Sequence, residues 1–212
     1  MLVNDIAKWT GTEWEPLGSG LSDPFATLAV DAEDRLVAGG DFYGEDAHSY
    51  NLTRWDGAAW EILDYNGFVT ALLVDGDTLY LGGFRVCKLQ NEQFECLGSH
   101  FYNDQTLKTG YIHALTLDGQ GRLVVAGQFT RVGETPVNNI ARWDGARWQA
   151  LGSGIEGPAN PYIAKSPVNA LITDDQGRVL AGGSFTQAGG KASSYLARWQ
   201  DPFAVWLPDV FR

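Results

Sequence analysis

One phrase recurs along the chain and constrains its fold more than any other feature. It is clearest at Asn139-Ile140-Ala141-Arg142-Trp143-Asp144-Gly145-Ala146-Arg147-Trp148, continuing to Leu151-Gly152-Ser153-Gly154. It also stands at Asp5-Ile6-Ala7-Lys8-Trp9 to Trp14 and Leu17-Gly18-Ser19-Gly20, and at Asn51-Leu52-Thr53-Arg54-Trp55-Asp56-Gly57 to Trp60. A worn copy runs from Val86-Cys87-Lys88-Leu89 to Phe94 and Leu97-Gly98-Ser99, and a fifth opens at Tyr195-Leu196-Ala197-Arg198-Trp199. A spacing of roughly 35 to 55 residues is that of one supersecondary unit stacked several times.

Between these phrases lies a second constant part. Leu28 to Asp31 leads to Arg35-Leu36-Val37-Ala38-Gly39-Gly40-Asp41-Phe42, and Leu72 to Asp75 leads to Leu79-Tyr80-Leu81-Gly82-Gly83-Phe84. Leu115 to Asp118 precedes Leu123 to Phe129, and Leu171 to Asp174 precedes Val179 to Phe185. Each run is short, rich in β-branched or aromatic residues and bounded by Gly, Asp or Asn, with no helical spacing, so it reads as a strand. Near-continuous apolar runs imply strands covered on both faces. Each unit therefore holds four strands: an inner pair joined by a tight Asp-containing turn, and an outer pair whose two tryptophans face each other across a hairpin.

The order of apolar run, Gly-Gly, loop, Arg-Trp-Asp, Trp and Leu resembles the kelch-type β-propeller blade, as in the central domain of galactose oxidase-like proteins. The longer wording, with Phe129-Thr130 and Phe185-Thr186-Gln187-Ala188-Gly189-Gly190, is similar to repeats of the fungal cortical cell-polarity marker and of many secreted bacterial proteins. The Gly-His partner of WD40 blades and the Asp-box of sialidases are both missing. The resemblance implies an all-β propeller of four-stranded blades at about 24–63, 67–98, 110–152 and 167–208, with a half-blade at 4–18, in one domain over 1–212. That arithmetic implies an incomplete five-bladed ring or a fragment, with a four-bladed ring as the alternative. Galactose oxidase's copper site is not carried over, because no matching ligand motif is present, and no cofactor or metal is expected.

Composition narrows the partners. The net charge is −11, and the 15 Lys and Arg residues form no basic stripe, which argues against nucleic acid. No stretch of 18 apolar residues occurs, so no membrane span is expected. The chain enters a repeat at Val3-Asn4-Asp5-Ile6, leaving no room for a signal peptide. Together with the left-over half-blade, this favours a piece of a longer extracellular or cell-surface chain whose leader has been removed.

Candidate binding residues lie in the longest connections, which vary above a constant scaffold. The connection 98–111 carries His100, Phe101, Tyr102, Asn103, Asp104 and Tyr111, and the connection 152–167 carries Asn160, Tyr162 and Lys165. Aromatic rings mixed with amides and an acid suit carbohydrate or protein contact; the same rings could instead cap the blades. The main concave pocket is expected at this end. A register position just before the inner strand holds Ala26, Thr70, His113 and Asn169, expected at the mouth of a channel that binds either a small ligand or water. The basic residue before the first Trp of each copy (Lys8, Arg54, Lys88, Arg142, Arg198) reads as architecture paired with acidic neighbours.

Catalysis finds little support. His48, His100 and His113 fall in different units without zinc spacing, and no Gly-x-Ser-x-Gly elbow occurs. Asp41, Glu45 and Asp46 read as a solvated acidic loop, and the sequon at Asn51 is discounted because it enters a strand. The expected function is a non-catalytic module that binds a glycan or protein through its long-loop face. Two alternatives stand beside it: an oxidase or lyase with a site near His100, His113, Tyr102 and Asp104, and a structural spacer.

The two cysteines carry a further expectation. The hairpin that pairs Trp9 with Trp14 has its worn equivalent in Leu89 and Phe94, and the same register sets Cys87 opposite Cys96. Residues opposite each other at a non-hydrogen-bonded position lie about 4.5 Å apart at Cα, within reach of a disulfide. Two buried thiols are the alternative.

Overall fold

The structure, a computed structural model, describes residues 6–21, 25–43, 49–106, 108–157, 167–200 and 205–208. The chain divides into two compact units, residues 1–81 with 89–94, and residues 82–88 with 95–212. All regular elements among the described residues are β-strands.

The strands group as the repeats require. β1 (Ala7–Trp9) and β2 (Trp14–Pro16) form a two-stranded sheet. β3 (Phe25–Val30), β4 (Leu36–Tyr43), β5 (Ser49–Trp55) and β6 (Trp60–Ile62) follow as one four-stranded sheet in chain order. β7 (Ala71–Asp75), β8 (Thr78–Gly82), β9 (Val86–Gln90) and β10 (Gln93–Cys96) repeat that order. Two short strands, β11 (Phe101–Asn103) and β12 (Lys108–Thr109), come next. β13 (Tyr111–Leu117) and β14 (Leu123–Gln128) are an inner pair, followed by the short strands β15 (Arg131–Val132) and β16 (Thr135–Pro136). The outer pair β17 (Ile140–Trp143) and β18 (Trp148–Ala150) completes the sheet β13-β14-β17-β18. After β19 (Ile155–Glu156), the inner pair β20 (Ala170–Thr173) and β21 (Val179–Gly182) leads to short β22 (Gln187–Ala188) and β23 (Lys191–Ala192). β24 (Leu196–Gln200) and β25 (Val205–Pro208) close the sheet β20-β21-β24-β25. An all-β chain of four-stranded antiparallel sheets is what the repeats predict, and it is consistent with a β-propeller.

Three of the four inner turns owe their shape to one aspartate each. Asp118 Oδ1 accepts the N–H groups of Gln120 (2.9 Å) and Arg122 (3.0 Å), while Oδ2 accepts Arg122 Nε at 2.7 Å. Asp31 with Arg35 and Asp174 with Arg178 repeat the arrangement. The fourth turn residue is left-handed in every case (Asp34, Gly121 and Gly177 at φ 61°, 73° and 73°), as a three-residue hairpin loop requires. The side chain thus satisfies turn donors that have no strand partner. Asp118→Ala leaves two backbone donors and a half-buried guanidinium without this acceptor, so a loss of about 1–2 kcal/mol in urea unfolding is expected.

The outer hairpins are pinned by their tryptophans. Trp9–Trp14, Trp55–Trp60 and Trp143–Trp148 meet at 5.2–5.5 Å between ring centroids, each as a directly opposed pair. The second Trp also reaches back one repeat. Trp60 Nε1 donates to Leu17 O (3.1 Å), and Trp148 Nε1 donates to Leu97 O (2.7 Å). In these two places the Leu-Gly phrase therefore anchors one outer hairpin to the next. Glycine is needed there: a Cβ on Gly18 would come within 2.8 Å of the Trp55 ring.

The worn hairpin takes a different device. Asn91 and Glu92 both have positive φ, as a type I′ turn demands, and a Cys87–Cys96 disulfide joins β9 to β10 at the place of Ala141 and Ala150 in the next repeat, in the hairpin that lacks the paired indoles. The neighbouring Leu97 N–H donates to Val86 O, so the cysteines occupy a non-hydrogen-bonded position, with Cα atoms 3.8 Å apart.

Candidate functional site

The 98–111 connection folds into a small sheet of its own, ordered β12-β11-β15-β16. Tyr102 stands between Thr109 on one side and Arg131 on the other, and Asn103 pairs with Lys108. Alternation along β11 turns Phe101 inward, fully buried against Phe129 (4.7 Å) and Trp148 (5.2 Å), and leaves Tyr102 on the outer face. One buried ring thus fixes a polar platform to the core.

On that platform the side chains lock one another. Arg131 Nε donates to Asp104 Oδ1 (2.8 Å), its Nη1 donates to Gly133 O (2.9 Å), and its guanidinium lies 4.2 Å from the Tyr102 ring centroid. Thr130 Oγ1 donates to Asp104 Oδ2 at 2.9 Å. Asn103 is buried, and its Oδ1 accepts from the Gln105 and Thr106 amides, closing the turn between β11 and β12. Tyr102, Asn103, Asp104, Lys108, Thr109, Tyr111 and Arg131 together line a depression of about 520 Å³.

Tyr111 borders it at 38% exposure, edge-on to Phe84 (5.1 Å) and stacked on His113 (6.2 Å between centroids, 14° between planes). His113 occupies a register break between Ile112 and Ala114, and bulges of this kind re-aim a side chain. A matching break falls between Phe25 and Thr27. Burial pushes the His113 imidazole below its ordinary pKa.

Four of the candidate residues, Tyr102, Asn103, Asp104 and Tyr111, therefore share one depression. His113 supports it from behind Tyr111. His100 is exposed and contributes its carbonyl to Gly133 N–H, and Asn169 is exposed and donates its backbone N–H to Gly182 O. Asn160, Tyr162, Lys165 and His48 lie outside the described residues, as do Glu45 and Asp46. Lys108, Thr109 and Arg131 join the site without having been singled out from sequence. Arg131 sits well along the chain from the 98–111 connection, and only the pairing of β11 with β15 brings it there.

A second depression, about 240 Å³, opens among the short turns of the first unit, lined by Arg35, Arg54, Asp77 and Glu92 among others. The larger of these two thus belongs to the long connection 98–111, although none of the described residues of 152–167 lines it. Two of the repeated basic residues pair with acidic neighbours: Arg54 with Glu61 (2.9 Å) in its own sheet and Glu92 (3.2 Å) in the β9–β10 turn, and Lys88 with Glu95 (3.0 Å). Among the described residues no three His, Cys, Asp or Glu side chains gather into a metal-binding group. No helix among them is long and apolar enough to cross a membrane.

Chemically the depression offers aromatic surface beside two cations, an amide and a hydroxyl. Its acid is already committed. The Arg131 hydrogen bond, helped by Thr130, holds the Asp104 carboxyl below its usual pKa of 3.8. A depressed carboxylate stabilises the fold above its unfolded pKa, and that contribution is lost as pH falls through the lower folded value. NMR titration should show Asp104 still ionised below pH 3.8, and Arg131→Ala should raise its midpoint towards 3.8. An unchanged midpoint would contradict the pairing.

Residues 121–143, which span β14 to β17, match the family described as "Domain of unknown function (DUF5122) beta-propeller". No curated protein matches the sequence. Among solved structures the chain is similar to the extracellular domain of a one component system, so described provisionally, from B. thetaiotaomicron, with a TM-score of 0.59 at 14% identity. A second structure, titled as the same domain of a hybrid two component system, gives the same values. The likeness covers 86% of this chain and 24% of those chains, so the chain spans about a quarter of their length. At this identity the likeness is one of fold.

Proposed function

We propose that the chain comprises four kelch-like blades and a half-blade of a β-propeller, and that it is a non-catalytic extracellular module binding a glycan or protein through the face built by the 98–111 connection. The depression lined by Tyr102, Asp104, Lys108, Tyr111 and Arg131 carries the reading. Its aromatic rings can stack on a sugar or an apolar side chain, and its cations and amide can orient polar groups. The guanidinium and carboxylate hold each other in place before any ligand arrives, which lowers the ordering cost of binding. An extracellular setting is supported by the Cys87–Cys96 disulfide, since such bonds persist in oxidising compartments, and by the fold shared with extracellular domains of longer proteins.

The test is a panel of immobilised oligosaccharides and peptides, probed with the wild type, Tyr111→Ala and Arg131→Ala. Any ligand bound by the wild type should be held at least about tenfold more weakly by both variants, a loss of about 1.4 kcal/mol. A ligand indifferent to both changes, or one mapped to the depression around Arg35 and Glu92, would overturn the assignment.

A further inference from the structure

Donors and acceptors do not balance in the depression built by the 98–111 connection, and the imbalance bears on what its ligand must bring. A guanidinium has N–H donors on all three nitrogens and no acceptor. Arg131 gives Nε to Asp104 Oδ1 and Nη1 to Gly133 O, while among the described residues its Nη2 has no acceptor. The side-chain acceptors are already in use. Asp104 Oδ1 receives Arg131 and Oδ2 receives the Thr130 hydroxyl, and Asn103 Oδ1 receives the Gln105 and Thr106 amides. Lys108, exposed on β12, adds an ammonium that can only donate. What remains for a ligand is a surplus of positively charged donors.

The charges lean the same way. Two cations and one acid line the depression, a local excess of positive charge on a chain whose net charge is −11. Exposed Glu134 favours the charge on Arg131 but does not line the depression. A concave site with one prevailing sign gathers ligands of the other. A peptide fits less well. Peptides are held along a free sheet edge, in an apolar groove or by a cluster of arginines. The edges of this small sheet are β12 and β16, two residues each, and Pro136 in β16 has no N–H to offer. The depression has one arginine, which lies over the Tyr102 ring. Its exposed apolar surface is the single ring of Tyr111, backed by His113 and Phe84.

We infer that the ligand is an acidic oligosaccharide, with a sugar ring stacked on Tyr111 and its carboxylates received by Arg131 Nη2 and Lys108. The inference rests on the depression being the binding site, as proposed above, and adds the class of ligand. A sugar hydroxyl can accept from the same donors, but a carboxylate also neutralises their charge and makes the stronger bond. Asp104 and the Gly133 carbonyl fix the guanidinium through two of its nitrogens, so the third is in place before a ligand arrives.

The probes are short oligogalacturonates and hyaluronan fragments, each paired with its carboxyl-reduced form, which keeps the sugar rings and loses the charge. Calorimetry on the full chain should show an acidic probe bound about tenfold or more tightly than its reduced partner, the worth of one hydrogen bond to a charged group. Lys108→Glu, at an exposed position, should weaken the acidic probe about tenfold, leave the reduced one unchanged and keep the far-ultraviolet spectrum of the wild type. Tyr111→Ala should weaken both. Equal affinity for the acidic and reduced forms, lost in Tyr111→Ala, overturns the inference and keeps the depression as the binding site. Acidic binding indifferent to both Tyr111→Ala and Lys108→Glu overturns the inference and the site together. Failure of every acidic probe to bind also overturns the inference. So does a glutamate-rich peptide that displaces the acidic probe and binds more tightly, by giving the site to a protein.

Discussion

Gly127→Ala is expected to destabilise the protein by about 3 kcal/mol, the upper part of the range for forcing extra atoms into a packed site. A Cβ at this position would stand 2.0 Å from the Tyr111 carbonyl oxygen and 3.0 Å from the His113 amide nitrogen. Both neighbours are backbone, so no side chain can rotate away. Gly183 has the same relation to Pro167 O, at 2.0 Å, and Gly183→Ala should cost a similar amount. Gly182, one residue earlier, provides the control: its Cβ would meet only Tyr195 O at 3.9 Å, and Gly182→Ala should be close to neutral. Urea midpoints of the three variants check this, and equal midpoints would refute it. The third repeat already carries the control substitution, since Ala126 stands where the other repeats have their first glycine. Gly127 also connects scaffold to site. It sits opposite Ile112, beside the bulge that presents His113 and Tyr111, so a variant that folds should also lose the Tyr111–His113 stacking.

The same residues show what could be read in advance. Strands that bury both faces must be apolar throughout, so the inner runs announce themselves, and paired tryptophans fix a hairpin register wherever they occur. The turn aspartates were visible as turn residues. Their ion pairs with Arg35, Arg122 and Arg178 were not, because a carboxylate followed four residues later by an arginine carries no mark of a hairpin. The small sheets were hidden for a related reason. β11, β12, β15 and β16 are two or three residues long, and their pairing depends on the surrounding repeats having folded. A polar connection of that composition looks like a loop. The candidate site inherits this limit: its local members, Tyr102 to Asp104 and Tyr111, stood out as aromatics and polar groups in a long connection, while Arg131 enters only through tertiary pairing. Phe101 belongs to the same connection but faces the core, a distinction that alternation reveals only once β11 is known to be a strand.

Removal of the Cys87–Cys96 bond is expected to cost about 2–3 kcal/mol, the loop-closure entropy that a cross-link of this length withholds from the unfolded chain. The two residues are nine apart and join strands already held by a tight turn, so the closed loop is short. Its local importance comes from what surrounds it. Three other outer hairpins lock their strands with two indoles, each pair 5.2–5.5 Å apart, and those pairs add roughly 0.5–1.5 kcal/mol beyond their buried area. Here Leu89 and Phe94 stand in the indole positions, and Phe94 turns instead to Tyr65 at 5.1 Å. The covalent bond thus replaces a cross-strand contact that the sequence has lost. Cys87 is fully buried, so the Cys87→Ala/Cys96→Ala double variant keeps a small apolar group in the core and mainly reports the loss of the cross-link. Urea unfolding of the double variant should show the lower midpoint, and the wild type treated with a thiol reductant should approach it. Equal midpoints for oxidised and reduced wild type would mean the bond adds nothing to stability, which would also withdraw one of the two supports for placing this chain in an oxidising compartment.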